Sequence, residues 1–349
     1  MMKPIRLGTR PSALATWQAN RTRDALVEIG CEVEIVPIST TGDVKRDDAI
    51  ANLGAQGVFT KEIQKALLAD EIDVAVHSLK DLPVERVPGL KLAAVLERAD
   101  VGDVFVSNRY ASLDELPPGA RIGTSSMRRK SMALRYCAKL RPDAEPWDVR
   151  DIRGNVETRL KKLDGGEYDA LILASAGLSR LGFGDRATAR LERPDFLPSV
   201  GQGALGLETR EDDAETNATV ARLLHEPTWL SVLAERAFLA RLEGGCLVPI
   251  GALCMKMELD GGAELLALDA QILSFDGSRS FDTQSIQVLR ASADDRELPH
   301  QTKEQLATLL GKAAAENLLD QGASEIVAEI KRVRDERAAK LSSPKTKEN

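Results

Sequence analysis

Across its first two-thirds the chain alternates short apolar runs with amphipathic helical stretches, and this alternation constrains the fold more than any other feature. Strand-sized apolar runs separated by helix-sized amphipathic ones are the pattern of α/β layering. Strands are predicted at Ile5–Gly8, Val33–Ser39, Ile72–His77, Leu90–Glu97, Asp103–Val106, Arg121–Gly123 and Asp169–Ala174. Helices are predicted near Ser12–Ile29, Phe59–Ala69, Ser126–Leu140 and Val156–Leu163. In the first helix Leu14, Trp17, Ala25, Leu26 and Ile29 fall at helical spacing and are expected to share a buried face.

A weak repeat runs through this region. Arg6-Leu7-Gly8-Thr9-Arg10-Pro11-Ser12 and Arg121-Ile122-Gly123-Thr124-Ser125-Ser126 both read as strand, glycine turn and hydroxyl N-cap of a helix. Two similar α/β lobes, each presenting a helix N-terminus, would enclose an anion-binding cleft. Segments near Glu97 and Asp103 would cross between the lobes, and Val200–Thr209 would return the chain to the first. The expected division is 1–98 with 200–221, then 99–199, then a smaller α+β unit over 222–337. That last unit should hold a helix at Thr228–Leu242, strands at Ala252–Leu259 and Glu264–Leu273, and helices near Thr302–Leu319 and Ala323–Arg334. The polar segment 338–349 reads as disordered.

Composition excludes several function classes. A net charge of −7, from 47 basic and 54 acidic residues, argues against general nucleic-acid binding. Aromatics at 4% give little material for base-stacking platforms. No apolar run has the length of a membrane span, and the first residues enter a strand pattern at once, so a cytoplasmic protein is expected. The four cysteines and three histidines lack metal-site spacing, and no metal is expected.

Against that acidic background the arginines at predicted strand-to-helix junctions carry weight. Ser126, Arg128 and Arg129 sit at one helix start, and Arg153 and Arg159 flank and enter another. Guanidinium groups beside helix N-terminal N–H groups suit carboxylate recognition, although any single arginine is more often a solvated surface charge. Lys80 and Asp81 leave the carboxyl end of an apolar strand, where α/β sites are built. There Lys80 suits a carboxylate and Asp81 a developing cation or a proton; an ordinary loop ion pair reads the same two residues. Cys246 lies in a glycine turn, Gly244-Gly245-Cys246, open to a bulky partner, whereas Cys31, Cys137 and Cys254 read as small hydrophobes.

Six segments, in order, resemble the porphobilinogen deaminase family, over about Ile5 to Lys331. They are Gly8-Thr9-Arg10-Pro11-Ser12, His77-Ser78-Leu79-Lys80-Asp81-Leu82-Pro83, Thr124-Ser125-Ser126-Met127-Arg128-Arg129, Arg153-Gly154-Asn155-Val156, Val200-Gly201-Gln202-Gly203-Ala204 and Gly244-Gly245-Cys246. The resemblance implies two periplasmic-binding-protein-like α/β lobes plus a small α+β C-terminal domain. It implies a covalent dipyrromethane, one per chain, joined to the Cys246 sulfur as a thioether. The implied reaction adds four porphobilinogens head to tail, each losing ammonia, and releases the linear tetrapyrrole hydroxymethylbilane by hydrolysis. Asp81 matches the family's catalytic aspartate, which would stabilise the azafulvenium-like cation formed as ammonia leaves. Arg10, Ser12, Lys80, Ser126, Arg128, Arg129, Arg153, Arg159 and Arg180 match residues that bind the acetate and propionate groups of cofactor and substrate. A monomer without nucleic-acid or membrane partners is implied.

The sequence departs from the family pattern at Gly54-Ala55-Gln56-Gly57, where a lysine usually stands in place of Gln56; a cationic role there would pass to Lys61. Leu247 replaces a residue that is often polar, and the segment from Asp260 to Pro299 is longer than in compact members. Two rival readings are a two-lobed binding protein for an organic anion and an enzyme acylated transiently at Cys246.

Overall fold

The computed structural model describes residues 3–39, 60–242 and 248–342. Its first sheet contains β1 (Ile5–Thr9), β2 (Val33–Pro37), β3 (Val74–Ser78), β4 (Leu90–Val95) and β10 (Leu205–Arg210), in the order β2-β1-β3-β10-β4. The second contains β5 (Asp103–Val106), β6 (Arg121–Gly123), β7 (Asp148–Arg150), β8 (Ala170–Ala174) and β9 (Ala189–Leu191), in the order β7-β6-β8-β5-β9. In each five-stranded sheet four strands run the same way, and the fourth in that order runs antiparallel to both its neighbours. That fourth strand, β5 or β10, is the one entered from a crossover out of the other sheet. The repeat seen in the sequence is thus a repeat of topology.

Helices α1 (Ala13–Glu28) and α2 (Lys61–Leu68) accompany the first sheet, and α3 (Met127–Leu140), α4 (Val156–Asp164) and α5 (Ser175–Arg180) the second. The paired N-caps form as the spacing predicts. Ser12 accepts from Ala15 N at 3.3 Å and Ser126 from Arg129 N at 3.4 Å; such a cap contributes about 1 kcal/mol. The buried face of α1 differs from the expectation. Gln18, Ala19, Thr22, Ala25 and Leu26 are inside, whereas Trp17 is exposed. Polar residues can occupy that face because they are satisfied: Gln18 Nε2 donates to Ser78 Oγ at 2.7 Å and Thr22 Oγ1 to Gln18 O at 3.0 Å.

After α6 (Ala214–Ala221) the chain builds a small α+β unit. It comprises α7 (Glu226–Arg241), a sheet of β11 (Ile250–Glu258), β12 (Glu264–Leu273) and β13 (Ser280–Arg290), and helices α8 (His300–Leu318) and α9 (Ser324–Ser342). Phe238 on α7, Leu266, Leu268 and Ile272 on β12 and Ala314 on α8 meet in one core. Strand β13, unread in the sequence, lies within the segment between Asp260 and Pro299. Its Asp282, Gln284, Ser285 and Gln287 hide the apolar alternation. Helix α9 continues to Ser342, so the start of the segment read as disordered is helical.

Candidate active site between the two sheets

The two crossovers run side by side and fix how the sheets face each other. Ala99 N donates to Gly203 O at 3.1 Å and Leu96 N to Leu205 O at 3.1 Å. A Cβ on Gly203, whose φ is +85°, would stand 2.6 Å from Ala99 O, so only glycine permits this approach.

Asp81 ends a single helical turn, Leu79–Asp81, that follows β3 directly. Leu79 is fully buried and its N–H donates to Ala204 O at 3.0 Å on the returning crossover. Burying a leucine contributes roughly 1.5–3 kcal/mol, so this side chain anchors the turn while Asp81 stays exposed and Lys80 half-buried. From the other side Arg236 of α7 donates to Leu82 O at 3.0 Å and Pro83 O at 2.7 Å.

Facing the turn are cations of the second sheet. Arg128 and Arg129 begin α3 and are buried around one carboxylate, Asp103 at the start of β5. Arg128 Nη2 lies 2.7 Å from Asp103 Oδ2, and Arg129 Nη2 lies 2.8 Å from Oδ1. Gln202 Nε2 donates to Asp103 Oδ1 at 2.8 Å and to Val101 O at 2.8 Å, joining both crossovers to this cluster. Burial would raise the Asp103 pKa, but the two guanidinium groups and their hydrogen bonds outweigh it and hold the carboxyl well below its ordinary range. Arg153 pairs with Asp151, and Arg159 Nε donates to Gly154 O at 2.9 Å. Burial, then Arg129 and Arg153, lower the Arg159 pKa to about 10. Burial lowers Lys80 to about 8; nearby Asp81 opposes this, while Arg129 adds to it.

Of the residues singled out in the sequence, Lys80 thus lies within electrostatic reach of Asp81, Arg128 and Arg129, and Arg159 within reach of Arg129 and Arg153, so that Arg129 links the two groups. Arg10 and Ser12 follow β1, which lies beside β3 in parallel, so they sit at the same end of the first sheet. Arg180 ends α5, after β8, at the corresponding end of the second. All leave the carboxyl ends of parallel strands, where α/β sites form. Cys246 and the Gly54–Gly57 segment lie outside the described residues. Lys61 opens α2 as an exposed residue. Sequence reasoning gave no functional role to Asp103, Gln202, Arg98 or Glu235, and it placed Trp17 on a buried helix face. An aspartate opening an otherwise apolar strand and a glutamine between two glycines were the available signals for the first two.

The family model of the porphobilinogen deaminase dipyrromethane cofactor binding domain matches residues 5–218, and that of the deaminase C-terminal domain matches 229–320. The chain belongs to the porphobilinogen deaminase family. It is accordingly a transferase with hydroxymethylbilane synthase activity in tetrapyrrole and heme biosynthesis, with porphobilinogen as substrate and a dipyrromethane cofactor. Solved structures similar to the chain include a putative methionine-binding lipoprotein from Bacillus subtilis, at 17% identity and TM-score 0.39, covering 64% of this chain and 90% of that one. An ABC-transporter periplasmic substrate-binding protein from Coxiella burnetii matches at 16% identity and TM-score 0.39, covering 66% and 94%.

The residues present fit a polycarboxylate group such as the family's cofactor. Buried Nε atoms of Arg128, Arg153 and Arg180 have no hydrogen-bond acceptor among the described residues. Like-charged neighbours and burial disfavour the charged forms of Lys80 and Arg159. Carboxylates entering between the sheets would relieve both costs. Among the described residues no helix is long and apolar enough to cross a membrane.

Proposed function

We propose that the chain joins four porphobilinogen molecules head to tail on a dipyrromethane held as a thioether by Cys246, and releases the tetrapyrrole by hydrolysis. The family match carries this reading, and the Lys80-Asp81 turn set against the Arg128, Arg129, Arg153 and Arg159 cluster supports it. The dipyrromethane would supply the free pyrrole α-carbon that takes the first unit, and each later unit is joined to the free α-carbon of the unit before it.

Arg10, Ser12, Lys80, Ser126, Arg128, Arg129, Arg153, Arg159 and Arg180 hold the acetate and propionate side chains. Asp103 neutralises part of the Arg128–Arg129 charge from within, so those guanidinium groups act as fixed, oriented donors needing no reorganisation on binding. Asp81 acts on the substrate. As its C–N bond breaks and ammonia departs, positive charge develops on the pyrrole, and the Asp81 carboxylate stabilises it. After the new C–C bond forms, Asp81 takes part in removing the proton from the α-carbon, which restores the aromatic ring. Successive additions on one site require relative movement of the lobes about the crossovers. The chain divides at 98/99, 199/200 and 221/222 and works as a cytoplasmic monomer.

The test is intact mass of the purified protein with peptide mapping around Cys246, paired with turnover by Asp81→Ala. Two condensed pyrrole units on the Cys246 peptide, with turnover nearly abolished in the variant, are expected. A Cys246 peptide still unmodified after incubation with porphobilinogen, or normal turnover by Asp81→Ala, overturns the reading.

A further inference from the structure

Trp17 and Arg180 meet from opposite sheets. Trp17 stands on α1, 38% exposed, and Arg180 ends α5. The Arg180 guanidinium carbon lies 5.3 Å from the centroid of the Trp17 ring. Its Nη2 donates to Gly203 O at 2.7 Å, and its buried Nε has no acceptor among the described residues. Burial lowers the Arg180 pKa.

Arg128, Arg129, Arg153 and Arg159 take their main partners from their own half, Arg129 Nη2 adding a longer contact to Gln202 Oε1 at 3.4 Å on the returning crossover. Asp103 holds Arg128 and Arg129, Asp151 holds Arg153, and Gly154 O holds Arg159. Arg180 instead leans on an aromatic face belonging to the other sheet. A guanidinium stacked on a ring uses its face, which leaves the in-plane N–H groups for a carboxylate. A positioned arginine loses less side-chain freedom when it binds an anion than a freely rotating one.

We propose that Trp17 is a positioning residue, whose indole face holds Arg180 across the cleft in the orientation that accepts a carboxylate of the incoming pyrrole. This rests on the reading of Arg180 as a substrate-carboxylate residue and adds to it a residue from the opposite sheet. The stack works on binding rather than on chemistry, because Trp17 touches the cation and not the reacting atoms.

The experiment compares Trp17→Leu and Trp17→Phe, both at an exposed position, in steady-state turnover of porphobilinogen. Trp17→Leu is expected to raise KM about 2–5-fold, the size of an exposed cation–π contact, with kcat changed less than about twofold. Trp17→Phe, which keeps an aromatic face, is expected to recover most of that KM. An unchanged KM in Trp17→Leu, a fall in kcat alone, or a Phe variant no better than Leu overturns the proposal. A second arm reads the contact without turnover: Arg180→Gln should alter tryptophan emission in the parent chain but not in Trp17→Phe. If the parent fails to consume porphobilinogen, the proposed function falls, and equal emission changes in both backgrounds would sink the Trp17–Arg180 contact separately.

Discussion

Arg98 and Glu235 form a two-pronged ion pair, Nη1 to Oε1 at 2.6 Å and Nη2 to Oε2 at 3.0 Å, where the outgoing crossover meets helix α7. The same carboxylate accepts from Gly201 N at 2.8 Å on the returning crossover and from Cys254 N at 2.9 Å on β11. Arg98 Nε in turn donates to Gln202 O at 2.8 Å. One fully buried side chain therefore ties both crossovers to the third unit, and Gln202 continues the network to Asp103 and the cleft arginines.

Replacing Glu235 should consequently do more than remove one contact. Glu235→Ala leaves a buried guanidinium and two amide N–H groups without their acceptor, at a cost of roughly 3–5 kcal/mol. Thermal unfolding should show a large fall in Tm. Glu235→Gln should be intermediate, because a neutral amide oxygen still accepts hydrogen bonds. A Tm for Glu235→Ala within about a degree of the parent would contradict the junction.

Asp103 gives a prediction with a defined pH window. Its folded pKa is depressed, so the stability it contributes is present in full above the unfolded value of about 3.9. That contribution shrinks as the pH falls below the unfolded value toward the lower folded one. Asp103→Asn should lose it at every pH, leaving Arg128 and Arg129 buried without a counter-charge. Urea unfolding at pH 7 should show the variant destabilised by about 3–5 kcal/mol, and the gap should narrow below about pH 4. A gap that is constant from pH 7 to pH 3 would count against the pairing.

Lys80 works in the opposite sense. With its pKa lowered to about 8, first by burial, its charged form is disfavoured in the folded protein. The resulting penalty is fullest below pH 8 and disappears as pH rises to the ordinary lysine value of about 10.4. An incoming carboxylate favours the ammonium, so binding between those values takes up a proton. KM for porphobilinogen should therefore climb as pH rises through about 8. In Lys80→Arg that limb should move to higher pH, since a guanidinium stays protonated. Superimposable KM profiles would rule out Lys80 as the titrating group.

Much of the fold was legible because its determinants are local. Period-2 and period-3.6 patterning placed most strands and helices of both sheets, and Ser12 and Ser126 cap their helices through their own neighbours. Strands β7, β9 and β13 escaped. The first two are only three residues long, and β13 carries too many polar residues to alternate clearly. Trp17 was misread for a related reason: helical spacing says which residues share a face, while the neighbours available decide which face is buried. Here hydrogen bonds from Gln18 and Thr22 let polar residues turn inward.

The sequence by itself determined the α/β alternation, the caps, and the ordered motifs that carry Lys80, Asp81 and the arginines to the carboxyl ends of strands, because these depend on residues adjacent along the chain. Only the tertiary structure decided that Asp103 holds Arg128 and Arg129, that Glu235 joins two crossovers to a third unit, and that Arg180 rests on Trp17. Those pairings join residues far apart in the chain. Burial makes an unpaired charge costly, so each partner is chosen by whichever complementary group the packed elements bring within reach.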